Sequence, residues 1–490
     1  MKKLFALFLS ITSVFVLSAC LGGTGGEDVD VDIPEEFPEE EIEILLWHAF
    51  GDDNMALLDN IFEDFEDMYP NVSIRHTGQG GYDGLRESTI QGNVAGSTPT
   101  LVFGYPDHFV EYLQGNSLVP LDGYIDHPEH GTDIEDFVDG FLEENQQYVD
   151  GNQYSLPFAK STEMMVYNKT VMDYFDIEIG MDDPLTWDEI EQLAQDIQWD
   201  EDAVQELTNF DTLEEFEEQF EADRPHIINM DSESNFFISS LAQWGLEYTN
   251  AEGEILFGDQ ETYDMLEYYK GLIDDDILAL PIEWDENYGS IPFKEGDVLM
   301  SQGSTAGTRH NIPDQEDGVF GLFDMGIAPV VQYDLDNRAA IQQGPNLALM
   351  ADTTDEERLA AWYLMEFMTN AENTAYFSEN TGYVPVRESA FDDPDYQEFL
   401  DIAAMDPEQL EDDEDYDTLD RRPYSMAANV AQAQSEFYAF EPPFVGRVTS
   451  SNARMESGLM VESIYAGTRD IGEAMNRALG ELQQDAVDFD

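Results

Sequence analysis

The chain has 490 residues, with 107 Asp and Glu against 19 Lys and Arg and a formal net charge of -88. Hydrophobic residues make up 42% and aromatics 12%, which supplies a large core and excludes wholesale disorder; at roughly 100–200 residues per domain, this length suggests two or three domains. The charge argues against nucleic acid and anionic lipid surfaces as partners, and the single cysteine excludes an internal disulfide or a cysteine-based zinc cluster.

Residues 1–20 read as an export signal. Lys2 and Lys3 precede an apolar run from Leu4 to Leu17, too short to span a membrane as a mature helix. Leu17-Ser18-Ala19-Cys20 follows in the form of a bacterial lipobox, which makes Cys20 the expected lipidation site. Residues 21–40 are Gly-rich and then acidic, with Pro34 and Pro38, and read as a flexible tether. Asp28 to Asp32 with Glu39 faintly resembles a calcium loop, but Ile33 stands where the sharp-turn Gly is needed. Only 6 of the 19 basic residues are Lys. Scarce Lys with this acidic excess reads as a surface adapted to high salt, where screening removes self-repulsion.

Ile42, Ile44 and Leu46 alternate as in a strand that ends at Trp47-His48. A loop at Gly51 to Asn54 precedes a helix with Leu57, Leu58, Ile61, Phe62, Phe65 and Met68 on its apolar face, closed by Pro70. Short strands are expected at 72–74 and 100–103. Strand–helix alternation of this kind implies α/β architecture with a largely parallel sheet, and ligands then bind beyond the carboxyl ends of the strands. Trp47-His48 and Tyr105-Pro106-Asp107 occupy such positions. Later helices are expected at 187–197 after Thr186, at 357–368, and at 471–482. The acidic stretches 198–223 and 406–417 read as surface insertions, and no internal repeat is visible.

Several stretches, in order, resemble the family 1 extracellular solute-binding proteins of ABC importers, the maltose-binding type. They are Ile44 to His48, Phe62 to Val72, Tyr154 to Thr162 with Tyr167-Asn168-Lys169, Leu185 to Glu189, Phe293 to Gly296 with Met300, Ala360 to Phe367, and Thr381 to Arg387. Gly81-Tyr82-Asp83, Gly303-Ser304-Thr305, Gly382 to Pro385 and Gly446-Arg447 look closest to the branch containing glycerol-3-phosphate-binding proteins. The resemblance implies two α/β lobes of the periplasmic-binding-protein-like type (class II), hinged around an interlobe ligand cleft. Lobe 1 would take 41–157 and 340–382, and lobe 2 would take 158–339 and 383–490. The branch contacts ligand from positions matching Tyr82, Ser161, Ser304, Gly344, Tyr383 and Arg447. One departure is Pro106, which separates Tyr105 from Asp107 where the branch places an acid directly after the tyrosine.

Residue chemistry adds candidates. Aromatic faces suit sugar C–H surfaces, and short polar groups or carboxylates suit hydroxyls. Trp47, Tyr82, Trp244, Trp284 and Tyr383 are candidate platforms, with core packing the alternative for Trp244 and Trp284. Asp83, Asp107 and His48 are candidate hydrogen-bonding groups; Ser161-Thr162 and Ser304-Thr305 offer hydroxyls from the other lobe, with capping as their alternative role. Arg447 offers a guanidinium fork for phosphate or carboxylate, or for a neighbouring acid. The expectation is a monomeric, lipid-anchored receptor on the outer face of the cell membrane. It would take a sugar, oligosaccharide or glycerol phosphate, use no cofactor or metal, and deliver to ABC permease subunits. An exported carbohydrate-active hydrolase and a surface adhesin or scaffold are the rivals. The sequence carries no GxSxG, HExxH or GxxxxGKS/T motif.

Overall fold

The computed structural model describes residues 31–148, 151–220, 222–250, 254–405, 416–439 and 450–488. The export signal, Cys20, the first half of the tether, most of 406–417 and Arg447 lie outside the described residues. The strands are β1 (Ile42–His48), β2 (Val72–Gly78), β3 (Leu101–Gly104), β4 (Ser155–Pro157), β5 (Ser161–Asn168), β6 (His226–Met230), β7 (Leu278–Ala279), β8 (Val298–Ser304), β9 (Met325–Ala328), β10 (Ala340–Gln343), β11 (Asn346–Leu349) and β12 (Tyr438–Ala439). They form two sheets. The first runs β2-β1-β3-β11-β4, with β1 parallel to both neighbours and β11 antiparallel to β3 and β4. The second runs β12-β10-β5-β8-β6-β7, and β9 also pairs with β5.

Each sheet packs against a large core of its own, and the second sheet carries a smaller cluster, with Met164, Val166, Val298 and Ile327, besides. In β1, Ile42, Ile44 and Leu46 face inward, as the alternation predicts. The helix α1 (Asp52–Met68) covers them with Leu58, Ile61, Phe62 and Phe65, and Asp52 and Asp53 complement the positive end of its dipole. Met68, expected on that face, is 54% exposed at the last turn. Two more helices complete this side of the site, α2 (Tyr82–Ala95) and α3 (Pro106–Gln114). The second core is larger. Its elements include α4 (Glu233–Gln243), α5 (Ser450–Tyr465) and α6 (Ile471–Asp488). The helix Trp187–Asp196 opens with a capping box between Thr186 and Glu189, and the helix Asp355–Met368 opens with one between Thr354 and Glu357.

Four segments differ from the sequence reading. The acidic stretch 198–223 is not merely a surface insertion. It forms helices Glu201–Leu207 and Leu213–Glu217, whose Val204, Leu207 and Phe216 enter the second core; a few well-spaced apolar residues among many acids suffice to dock it. Residues 340–343, assigned to lobe 1, pair as β10 with β5 in the second sheet, and the chain crosses only at Gly344-Pro345. Residues 383–386, assigned to lobe 2, send Tyr383, Val384 and Val386 into the first core. Part of the tether is also docked. From residue 31 onward, Val31, Ile33 and Phe37 pack on the first core, and the Pro34 carbonyl lies 3.1 Å from His130 Nε2.

Where the two cores meet, three segments cross side by side. Val384 N donates to the Lys160 carbonyl at 2.8 Å, and Ala159 N donates to the Pro345 carbonyl at 3.3 Å. Gly344 takes φ +101°, and a Cβ there would stand 2.0 Å from the Ala159 carbonyl oxygen. Only glycine fits that crossing.

Candidate functional site

A cavity of about 390 Å³ opens between the two cores. One wall comes from the first core: Tyr82, Asp83 and Arg86 of α2, Tyr105 to His108 at the start of α3, and Glu144 at the end of the short helix Asp139–Glu144. The other wall comes from the second core: Ser234 of α4, Ile341 to Gln343 of β10, and Ser450 to Asn452, Arg454 and Met455 on the first turns of α5.

Local folding explains why these side chains converge. Gly80 and Gly81 both take positive φ, so the chain turns sharply after β2 and delivers Tyr82 and Asp83 on the first turn of α2. Tyr105 caps α3 and Pro106 fills its first position, where the missing N–H costs nothing. The rings of Tyr82 and Tyr105 meet edge to face, 4.7 Å apart. The Tyr383 hydroxyl lies near those of Tyr82 and Tyr105, and burial pushes all three above the ordinary tyrosine range. The trio therefore stays protonated at neutral pH and keeps its hydroxyl hydrogens.

The charged groups are mostly paired. Ser451 Oγ donates to Asp107 Oδ2 at 2.6 Å and joins the two walls directly. Arg86 binds Glu111 at 2.8 Å. Arg454 donates to Asn235 Oδ1, and Asn235 Nδ2 donates to the buried Glu163 at 2.7 Å. Burial raises the Glu163 carboxyl to about 7. Burial lowers His108, so its ring is neutral at pH 7.

Of the residues chosen from sequence, Tyr82, Asp83 and Asp107 line the cavity, and Tyr383 stands behind Tyr82. The other described ones stand elsewhere. Trp47 lays its ring against Gly92 of α2. His48 is fully buried and accepts from Phe50 N through Nδ1. Trp244 stacks on Tyr333 at 4.0 Å, and Trp284 meets His226 edge on at 5.6 Å. Ser161 and Ser304 bond each other at 3.4 Å, and Ser304 Oγ also accepts from Ala306 N. Thr162 donates to the Ile341 carbonyl. Thr305 Oγ1 accepts from Thr162 N, and its carbonyl from Thr308. These hydroxyls tie β5, β8 and β10 together behind the wall, and Gly344 serves the crossing.

Sequence reasoning missed Arg86, His108, Glu144, Gln342, Gln343, Ser234 and the start of α5. Arg454 carried the same signal that singled out Arg447, a basic residue where such residues are scarce. Gln342 carried none, because a glutamine in a short strand is ordinary until its surroundings are known. Among the described residues, no group of three or more His, Cys, Asp or Glu is arranged to hold a metal ion, and no helix is long and apolar enough to cross a membrane.

Residues 60–404 match the family described as bacterial extracellular solute-binding protein. The chain belongs to that family. A Brucella abortus binding protein is 23% identical over 306 residues, 60% of this solute-binding protein; the match spans only 64% of that relative's length. The sn-glycerol-3-phosphate-binding periplasmic protein UgpB of Shigella dysenteriae is 23% identical over 362 residues, 71% of this chain and 75% of the relative. Among solved structures, UgpB of Mycobacterium tuberculosis in complex with glycerophosphocholine superposes with a TM-score of 0.69 at 20% identity, covering 90% of this chain and 98% of that one. The GacH receptor of Streptomyces glaucescens, solved unliganded and with acarbose, gives a TM-score of 0.65 at 15% identity, covering 92% and 100%. These likenesses fix the fold as the two-lobe binding-protein type.

Proposed function

We propose that this protein is the solute receptor of an ABC importer, anchored through lipidated Cys20 outside the cell membrane. It captures a carbohydrate or related polyol between its lobes and presents it to a membrane permease without chemical turnover. One observation carries the reading: the cavity lies between the two cores and draws side chains from both. A ligand that contacts both walls favours the closed arrangement by its differential affinity for that state. Tyr82 and Tyr105 offer apolar ring surface and hydroxyl donors, with Tyr383 behind them, Asp83 and Asp107 offer acceptors, and α5 offers hydroxyls. That set suits a polyhydroxylated solute. The neighbours whose names include maltotriose, acarbose and glycerophosphocholine support this ligand range.

The test is small-angle scattering with thermal shift in molar NaCl, against sugars, oligosaccharides, polyols and glycerol phosphates. A cognate solute should shrink the radius of gyration. At a hundred times its dissociation constant it should add about 2.7 kcal/mol of stability. Tyr82→Ala should weaken that binding about tenfold, or 1.4 kcal/mol. Compaction by no member of the panel would remove the carrier reading, and hydrolysis of an oligosaccharide would move the protein to the hydrolases.

A further inference from the structure

We propose that Gln342 and Glu144 form a hydroxyl-reading floor in this cavity, one that selects an uncharged, polyhydroxylated part of the solute, with Lys160 as the residue that positions Glu144. The inference rests on the solute-receptor reading and adds to it which end of the ligand is recognised and by what.

Gln342 lies on β10 in the cavity wall and is 4% exposed. Neither its amide oxygen nor its amide nitrogen has a hydrogen-bond partner in the protein. Buried amides nearly always find partners, and one left without them weakens the folded chain. Its neighbour Gln343 has an unpartnered Oε1, and His108 across the cavity has an unpartnered Nδ1. Three unsatisfied groups around one cavity point to a ligand that satisfies them. A primary amide offers two donors and one acceptor without charge. A solute hydroxyl is both donor and acceptor, so an amide and a carboxylate lining one cavity can read hydroxyls of the same solute.

The charge at this floor disfavours an anion. Glu144 lines the cavity, and the Lys160 ammonium behind it is fully buried. Lys160 Nζ donates to Glu144 at 2.5 Å and to the Gly344 carbonyl at 2.9 Å. That cation is already engaged by the protein. A phosphate placed here would face the Glu144 carboxylate, and the two arginines that also line the cavity are engaged elsewhere, Arg86 by Glu111 and Arg454 by Asn235. Lys160 also ties the carboxylate to the crossing segments, since Gly344 lies on one and the Lys160 carbonyl accepts from Val384 on another. The floor is thereby set by the hinge.

The experiment is calorimetric titration of the intact protein in molar NaCl with glycerol, maltose, maltotriose and sn-glycerol 3-phosphate. Gln342→Leu should weaken an uncharged probe that binds the wild type by about tenfold or more, while the unliganded melting temperature stays level or rises. Affinity kept within about twofold, or a lower unliganded melting temperature, would mark Gln342 as structural and overturn the inference alone. Lys160→Met with Glu144→Gln leaves no unpaired buried charge, so it should fold and still bind weakly. Wild-type affinity in that double variant would overturn the positioning role. Binding of the phosphate probe only, unchanged in Gln342→Leu, would also overturn the floor. Failure of every probe to bind the wild type would remove the receptor reading and this inference with it.

Discussion

His48 shows how far a single residue was legible. Its place at the tip of β1 was read correctly, and its role as a ligand donor was not tied to the direction of the side chain. Residues 42, 44, 46 and 48 share one face of the strand, and that face is the core. The same parity sends Trp47 to the opposite face, under α2. Buried there, His48 joins a relay. Phe50 N–H donates to Nδ1 at 3.2 Å, which leaves the ring proton on Nε2 facing His76 Nδ1 at 2.9 Å, and His76 Nε2 reaches Asp59 at 2.8 Å. Burial lowers the His48 pKa from 6.5 to about 4. The folded value lies below the unfolded one, so the unfolded chain takes the proton first as the solution acidifies. The stabilisation is complete above pH 6.5 and is lost as pH falls towards 4, a loss of about 3 kcal/mol. His48→Gln should flatten that part of a plot of melting temperature against pH. An unchanged slope between pH 6.5 and 4 would show that His48 does not titrate as argued.

At the scale of elements, helices were legible because their ends carry chemistry. Thr186 with Glu189 forms a capping box visible as residue types three apart. The crossings were less legible. β10 and β11 are two four-residue strands separated only by Gly344-Pro345, and no change of composition marks the point where the chain leaves one sheet for the other. Only pairing decides it, and pairing is a long-range fact. The crossing itself yields a prediction. Gly344→Ala forces a side chain into positive φ and against the Ala159 carbonyl, so it should destabilise by more than about 2 kcal/mol. Urea unfolding at high salt would show this as a lower midpoint. A midpoint equal to that of the wild type would mean the crossing relaxes to admit a methyl group.

At the scale of the whole molecule the site was half legible. Tyr82, Asp83 and Asp107 converge because strand ends and helix starts place them, which is a rule of α/β folds. Glu144 and Gln342 join them through tertiary packing alone, and no local pattern announces that. The net charge of -88 acts on the molecule as one body. Repulsion among unpaired surface carboxylates opposes compaction and falls as salt shortens the screening length from about 30 Å at 0.01 M to about 3 Å at 1 M. The melting temperature should therefore climb between dilute and molar NaCl, and a flat or falling curve would refute the reading of the surface as adapted to salt.

The docked segment at residues 31–38 bears on which part of the molecule moves. Phe37 sits between the rings of Tyr69 and Tyr363, and Asn71 Nδ2 donates to the Pro38 and Glu40 carbonyls at 3.0 and 2.8 Å. The leash is thus moored to the first lobe, away from the cavity. With the lipid on Cys20 and the hinge closure proposed above, the first lobe would be the stator and the second the rotor. In the closure proposed above, the swing would be borne by the lobe that carries α5 and β10, while residues 31–38 stay with the first lobe.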